Sequence, residues 1–201
     1  MQEHEKPWRP LTVSEVACLF SDAEFPWWIA GGVALELAVG RVIRRHGDID
    51  VLILRPDHVE ARQLLAEWDC WAADPPGKLT PWDLGSALGT HVHDVWCRQQ
   101  PNDDWRVQLM LDETVGRLWV SRRDSEVRAR IRSLTRTTAD GVRSLAPHVQ
   151  LYYKAKSPSE KDEIDFKAVV ESGVAMDAGW LQWAISHSYG AGHPWLAALA
   201  E

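Results

Sequence analysis

The chain of 201 residues and 22.7 kDa is 45% hydrophobic, enough to bury a sizeable core and too apolar for wholesale disorder. Its 22 basic and 29 acidic side chains give a net charge of −7 and a pI near 5.6. That balance argues against nucleic acid as a partner, because counterion displacement needs a basic surface. Three scattered cysteines, Cys18, Cys70 and Cys97, and no apolar run of spanning length argue against a disulfide framework and a membrane span, so a cytoplasmic location is expected.

Thr12-Val13-Ser14-Glu15 reads as a capping box, followed by Val16, Ala17 and Phe20 at helical spacing. Pro26 to Ala30 is a short apolar run that predicts a buried strand, turned by Gly31-Gly32 into a helix over 33–39 closed by Gly40. Asp48 to Leu54 is apolar and β-branched after its first residues, as an interior strand is. Asp57 is expected to cap a helix to about Trp68, and 74–90 reads as loop. Two strands near 91–98 and 105–111, joined by Pro101-Asn102-Asp103-Asp104, predict a hairpin, with a further strand near 118–122. Beyond Asp124 the residues look helix-forming, with helices expected at 147–155, 159–171 and 177–186. The implied class is α/β (α+β) with a mixed sheet and C-terminal helices. The expected division is an α/β domain at 1–130 and a helical region at 131–201.

The segment from Ile29 to Leu54 carries the chemistry. Strand alternation sends Asp48 and Asp50 to one side, about 7 Å apart, and Ile49 and Val51 to the other. Two carboxylates aimed together repel unless a cation or proton lies between them. Mg²⁺ suits such a pair, since it takes carboxylate oxygens together with substrate phosphates. Gly31 and Gly32, lacking Cβ atoms, would let a phosphate approach the N–H groups at a helix start. Separately, a Gly-Gly is a turn and an Asp-x-Asp a solvated strand end. Together they describe phosphoryl or nucleotidyl transfer.

Trp28 to Leu37, Gly40-Arg41 and Arg45-His46-Gly47-Asp48-Ile49-Asp50-Val51 resemble the aminoglycoside and lincosamide nucleotidyltransferases of the DNA polymerase β superfamily. Lys154 and Lys161 to Phe166 are similar to a C-terminal helix motif of the same proteins. The resemblance implies a polymerase-β-like nucleotidyltransferase fold, Asp48 and Asp50 as metal ligands, and Gly31-Gly32 as a phosphate cradle. It also implies Mg²⁺ as cofactor and ATP, or another nucleoside triphosphate, as donor. Lys154 is carried over as a nucleotide-binding residue, and Arg44, in the basic stretch before Asp48, is a further candidate to reach the triphosphate. Those enzymes place a third acid on the strand after the hairpin, where this chain has Gln108. If Trp96 pairs with Gln108, Asp94 falls opposite Met110 on the same face, which makes it the candidate third acid ahead of Asp112.

His91 and His93 read as a surface pair, since no further cluster supports zinc. The seven arginines from Arg122 to Arg143 read mostly as a solvated helical face, and Lys161 and Asp165 as an i,i+4 pair. Trp96 and Trp105 are candidates to stack on a sugar or on adenine. The function expected is transfer of AMP to a hydroxyl of a small aminoglycoside- or lincosamide-like molecule. The alternatives are a toxin-like transferase acting on tRNA or protein, and a catalytically silent nucleotide-binding module.

Overall fold

The computed structural model describes residues 6–200. In chain order its elements are α1 (Val13–Leu19), β1 (Trp27–Ala30), α2 (Gly31–Val39), β2 (Asp50–Leu54), α3 (His58–Leu64), β3 (Asp69–Ala73) and β4 (Leu79–Pro81). Then follow β5 (Asp94–Arg98), β6 (Val107–Val115), β7 (Leu118–Val120), β8 (Arg128–Arg130), β9 (Thr135–Thr137) and β10 (Arg143–Leu145). Four helices close the chain: α4 (Pro147–Lys154), α5 (Glu160–Ser172), α6 (Ala178–Tyr189) and α7 (Trp195–Ala198). Among the described residues no helix is long and apolar enough to cross a membrane.

The chain packs as two compact units. One holds the residues through Ile29 with His46–Thr114, the other Ala30–Arg45 with Val115 onward. In the first unit a mixed sheet runs in the order β4-β3-β5-β6-β2-β1. β2 lies parallel to β6, and β3, β4, β5 and β6 pair antiparallel. Val51, Leu52 and Ile53 are fully buried, so β2 is apolar on both faces, as an interior strand must be. The predicted capping box forms: Glu15 N–H donates to Thr12 Oγ1 and Thr12 N–H to Glu15 Oε2.

Two expectations change in this unit. Asp57 does not cap α3, because it is already helical and ends a 3-10 turn, Arg55–Asp57, that Pro56 initiates. The helix unwinds after Leu64, and the chain re-enters the sheet as β3, which pairs with β5, and β4, which pairs with β3 on its other side.

The second unit holds α2 packed on α4, α5 and β10. Its 124–145 region is built of strands where helix was expected. The reason is period-2 patterning: Arg128 and Arg130 are exposed around half-buried Ala129, and Thr135 and Thr137 are β-branched. Gly141, at φ 80°, makes the turn between β9 and β10. The later helices match expectation: Ser159 and Asp162 form a capping box, Gly173 ends α5 in the left-handed region, and Asp177 caps α6.

His148 on α4 is buried, and its Nδ1 accepts the Asp177 N–H at 3.4 Å. Burial holds its imidazole below the ordinary histidine range, opposed by the Asp177 carboxylate. The unfolded chain therefore binds a proton that the folded one resists. Stability should be complete above about pH 6.5 and fall as pH drops below it. Denaturant titrations at pH 7.5 and 5.5 should show this loss, and His148→Gln should reduce it.

Candidate active site

In the first unit β2 starts at half-buried Asp50, while Asp48 is exposed and Ile49 between them is 2% exposed. The Gln108 N–H donates to the Ile49 carbonyl at 3.0 Å, so the β2–β6 pairing continues one residue before the strand proper. Burial thus alternates through Asp48, Ile49 and Asp50, with Ile49 in the core and both carboxylates turned from it. Asp50 stands in register with Gln108, and Gln108 with Trp96. Asp94 stands opposite Met110, as the hairpin reading predicts.

Asp94 and Asp50 therefore flank β6 from opposite sides, with the strands that carry them about 10 Å apart. Gln108 Nε2 donates to Asp94 Oδ1 at 3.0 Å. Gln108 occupies the place beside Asp50 and ties Asp94 to its own strand. Among the described residues no group of three His, Cys, Asp or Glu side chains is arranged to hold a metal ion, so Asp94 is not gathered with Asp48 and Asp50. Asp112, the second candidate, lies opposite Leu54 and is 0% exposed. A pair of strand-end carboxylates, one open to solvent, still fits Mg²⁺, which keeps waters and takes substrate phosphates in place of an all-protein cage.

In the second unit α2 starts at Gly31 with no intervening turn, straight from extended Ala30. Gly31 has φ 65°, a conformation that an L side chain rarely adopts. Its N–H donates to Gln150 Oε1 at 2.8 Å, and Gln150 is 4% exposed. Sequence reasoning missed Gln150. The available signal was a lone amide within Pro147–Tyr153, a helix turn buried at every position.

Glu36 on α2 accepts the N–H groups of Ile43 and Arg44 at 2.8 and 3.0 Å, folding the segment after Gly40 back on the helix. Arg44 then grips Asp165 with two hydrogen bonds, Nε to Oδ1 at 2.9 Å and Nη2 to Oδ2 at 2.8 Å. Lys154 Nζ bridges Asp165 Oδ2 at 2.9 Å and Asp162 Oδ1 at 2.7 Å. Burial pushes the Asp162 carboxyl upward, but hydrogen bonds from Lys154 and Ser159 outweigh it and hold it below the usual range. The expected Lys161–Asp165 pair gives way to these contacts. Asp165 is 0% exposed, and a carboxylate so buried requires cations beside it that exposed Lys161 does not supply.

Two smaller expectations also change. Trp105 is fully buried, with the Arg98 guanidinium 4.4 Å from its ring centroid, so it packs in the core. Half-buried Trp96 lies edge-on to both Trp8 and Trp105. His91 lies on the surface, 3.2 Å from Asp74, but His93 is half-buried with its Nδ1 3.4 Å from Arg55 Nη2, so the two do not form a surface pair.

The family model described as aminoglycoside-2''-adenylyltransferase matches residues 12–169. The chain belongs to this family. As an aminoglycoside-2''-adenylyltransferase family member it is a nucleotidyltransferase, and the matched span contains both the Gly31-to-Asp50 segment and the Lys154–Asp165 network. The fold agrees with solved structures. The antibiotic-resistance factor ANT(2'')-Ia in solution is 14% identical, with TM-score 0.53 over 87% of this chain and 88% of that one. The lincomycin-bound lincosamide antibiotic adenylyltransferase LnuA is 13% identical, with TM-score 0.56 over 83% and 100%. ANT(2'')-Ia in complex with adenylyl-2''-tobramycin gives 13% and 0.52 over 87% and 95%. No curated protein sequence matches significantly.

Proposed function

We propose that this family member transfers AMP from ATP to a hydroxyl of a small, cationic, polyhydroxylated molecule such as an aminoglycoside. The observation that carries the reading is the carboxylate pair, Asp48 and Asp50, presented on one side of the start of β2 around buried Ile49. Those two residues would hold Mg²⁺, which when bound neutralises phosphate charge and lowers the pKa of the attacking hydroxyl. Gly31 and Gly32 would let the triphosphate approach the start of α2, whose N–H groups and dipole favour an anion. Gln150 holds Gly31 in its left-handed conformation, and Asp165 fixes Arg44 and Lys154, the residues proposed to face the nucleotide. Catalysis then rests on positioning and charge neutralisation, and pyrophosphate leaves. In this reading residues 1–130 supply the transferase domain and 131–201 the helical region with Lys154.

Asp94 is proposed to take the hydroxyl proton, since it is half-buried where Asp112 is sealed. Asp94→Ala should lower kcat about a hundredfold, while Asp112→Ala should be read in the melting temperature. Steady-state kinetics and thermal melts on the two variants separate these roles, and the opposite pattern would move the proton acceptor to Asp112.

Gly32→Val should weaken triphosphate binding at least about tenfold with little loss of stability, because the new side chain occupies the phosphate's path. Calorimetric titration checks this, and unchanged affinity would return Gly32 to a purely structural role. The reading as a whole is tested by incubating the protein with labelled nucleoside triphosphates and a mixed acceptor library. Mass spectrometry should detect adenylylated polyhydroxylated amines, with acceptor binding that weakens as salt is added. A salt-insensitive preference for neutral or anionic acceptors would refute it.

A further inference from the structure

Between Val115 and Ala146 the chain carries eight arginines, no lysine, and only Asp124, Glu126 and Asp140 as acids. The segment has a net charge of +5, while the rest of this chain of net −7 carries −12. A solubility requirement does not produce that asymmetry, because lysine serves solubility as well as arginine does. What arginine adds is a planar fork that bonds phosphate oxygens two at a time.

Part of this charge surrounds a cavity of about 610 Å³ in the second unit, lined by Gly116, Arg117, Leu118, Arg130, Ile131 and Arg132. The frame is hydrogen-bonded. β7 and β8 pair antiparallel with Leu118 opposite Arg130, and the Ile131 N–H donates to the Arg117 carbonyl at 3.1 Å. Arg117, Arg130 and Arg132 are exposed, and none forms an ion pair with a carboxylate among the described residues. Three like charges brought around one concavity repel, so a counter-charge there is stabilising. The volume lies in the range of small-ligand sites, and its walls are mainly apolar, with Arg117, Arg130 and Arg132 the charged residues of the lining.

We propose that this groove is a polyphosphate-binding site, separate from the residues assigned to transfer. Its ligand chemistry is two or more linked phosphates, from inorganic pyrophosphate or from the tail of a nucleotide. Several guanidinium forks can share the oxygens of such a chain, whereas a single monoanion engages one of them.

The test is calorimetric titration of the full chain with inorganic pyrophosphate, ATP and adenosine, without magnesium and at two salt concentrations. Gly32→Val serves as background, so that binding at the nucleotide site assigned above is weakened. Pyrophosphate and ATP should bind this background, adenosine should not, and added salt should weaken both complexes. Tighter binding of ATP than of pyrophosphate would identify a nucleotide as the source, and equal binding free polyphosphate. Adding R117Q, R130Q and R132Q should lower the affinity at least about tenfold, and lysine at the same three positions should restore part of it. The three glutamine substitutions in the otherwise native chain should leave adenylyl transfer unchanged. Equal pyrophosphate affinity with and without the three arginines overturns the site. Failure of the native chain to transfer AMP would instead overturn the assigned activity and leave these titrations standing.

Discussion

Asp48→Asn and Asp50→Asn are each expected to lower nucleotidyl transfer roughly a thousandfold, the scale on which loss of one preorganised electrostatic partner is felt. The fold should survive both changes. Asp48 is exposed and Asp50 half-buried at the first position of β2, whereas the strand's stability comes from Val51, Leu52 and Ile53, all 0% exposed. Asparagine keeps the shape and one carbonyl oxygen but removes the charge. That isolates cation binding from packing. Without a metal, relief of repulsion between the two carboxylates should leave the melting temperature unchanged or slightly raised. With Mg²⁺ added, the native chain should be stabilised and the variants should not, because a ligand stabilises only the state that binds it. Thermal melts with and without Mg²⁺, alongside kcat, give two readouts. A variant that keeps more than a few per cent of native activity would remove the metal role from these residues.

Much of this region was legible because its signals are local. The Gly31-Gly32 pair, the apolar run after Asp50 and the polar turn at Pro101–Asp104 each specify backbone shape within a few residues. Strand alternation then fixes the pairing of Trp96 with Gln108 and of Asp94 with Met110, since a slip of one residue would expose Val95 and Leu109. The strands between Arg128 and Leu145 were less legible. Each is three residues long, too short for alternation to stand out against arginines that also suit helices. The hydrogen bond from Gly31 to Gln150 spans 119 positions, and no periodicity in a single sequence encodes such a partner. The same holds for Asp165. Its spacing from Lys161 suggested a surface pair, while its actual partners depend on which face of α5 is buried.

That difference gives the second large effect. Asp165→Ala should destabilise the protein by about 3–5 kcal/mol, the cost of leaving buried cations without their counter-charge. Arg44 would lose both of its hydrogen bonds to this side chain, and Lys154 would keep only Asp162. For a chain of this length the melting temperature should fall by roughly 10 °C or more. Asp165→Asn should cost less, because an amide oxygen still accepts one bond at the same position. Lys161→Ala separates the two accounts. An i,i+4 pair with Asp165 would make that substitution cost about 0.3–0.5 kcal/mol, whereas the observed network predicts no measurable change. Acid should erode the network from its more accessible end. Asp162 has its carboxyl held below the usual range, so its contribution is complete above about pH 4 and is lost as pH falls through the lowered folded value. Lys154→Met removes the cation that Asp162 shares with Asp165, and should shift acid unfolding to higher pH. An acid-unfolding midpoint unmoved by Lys154→Met, together with a negligible effect of Asp165→Ala, would show that these groups are held by solvent rather than by one another.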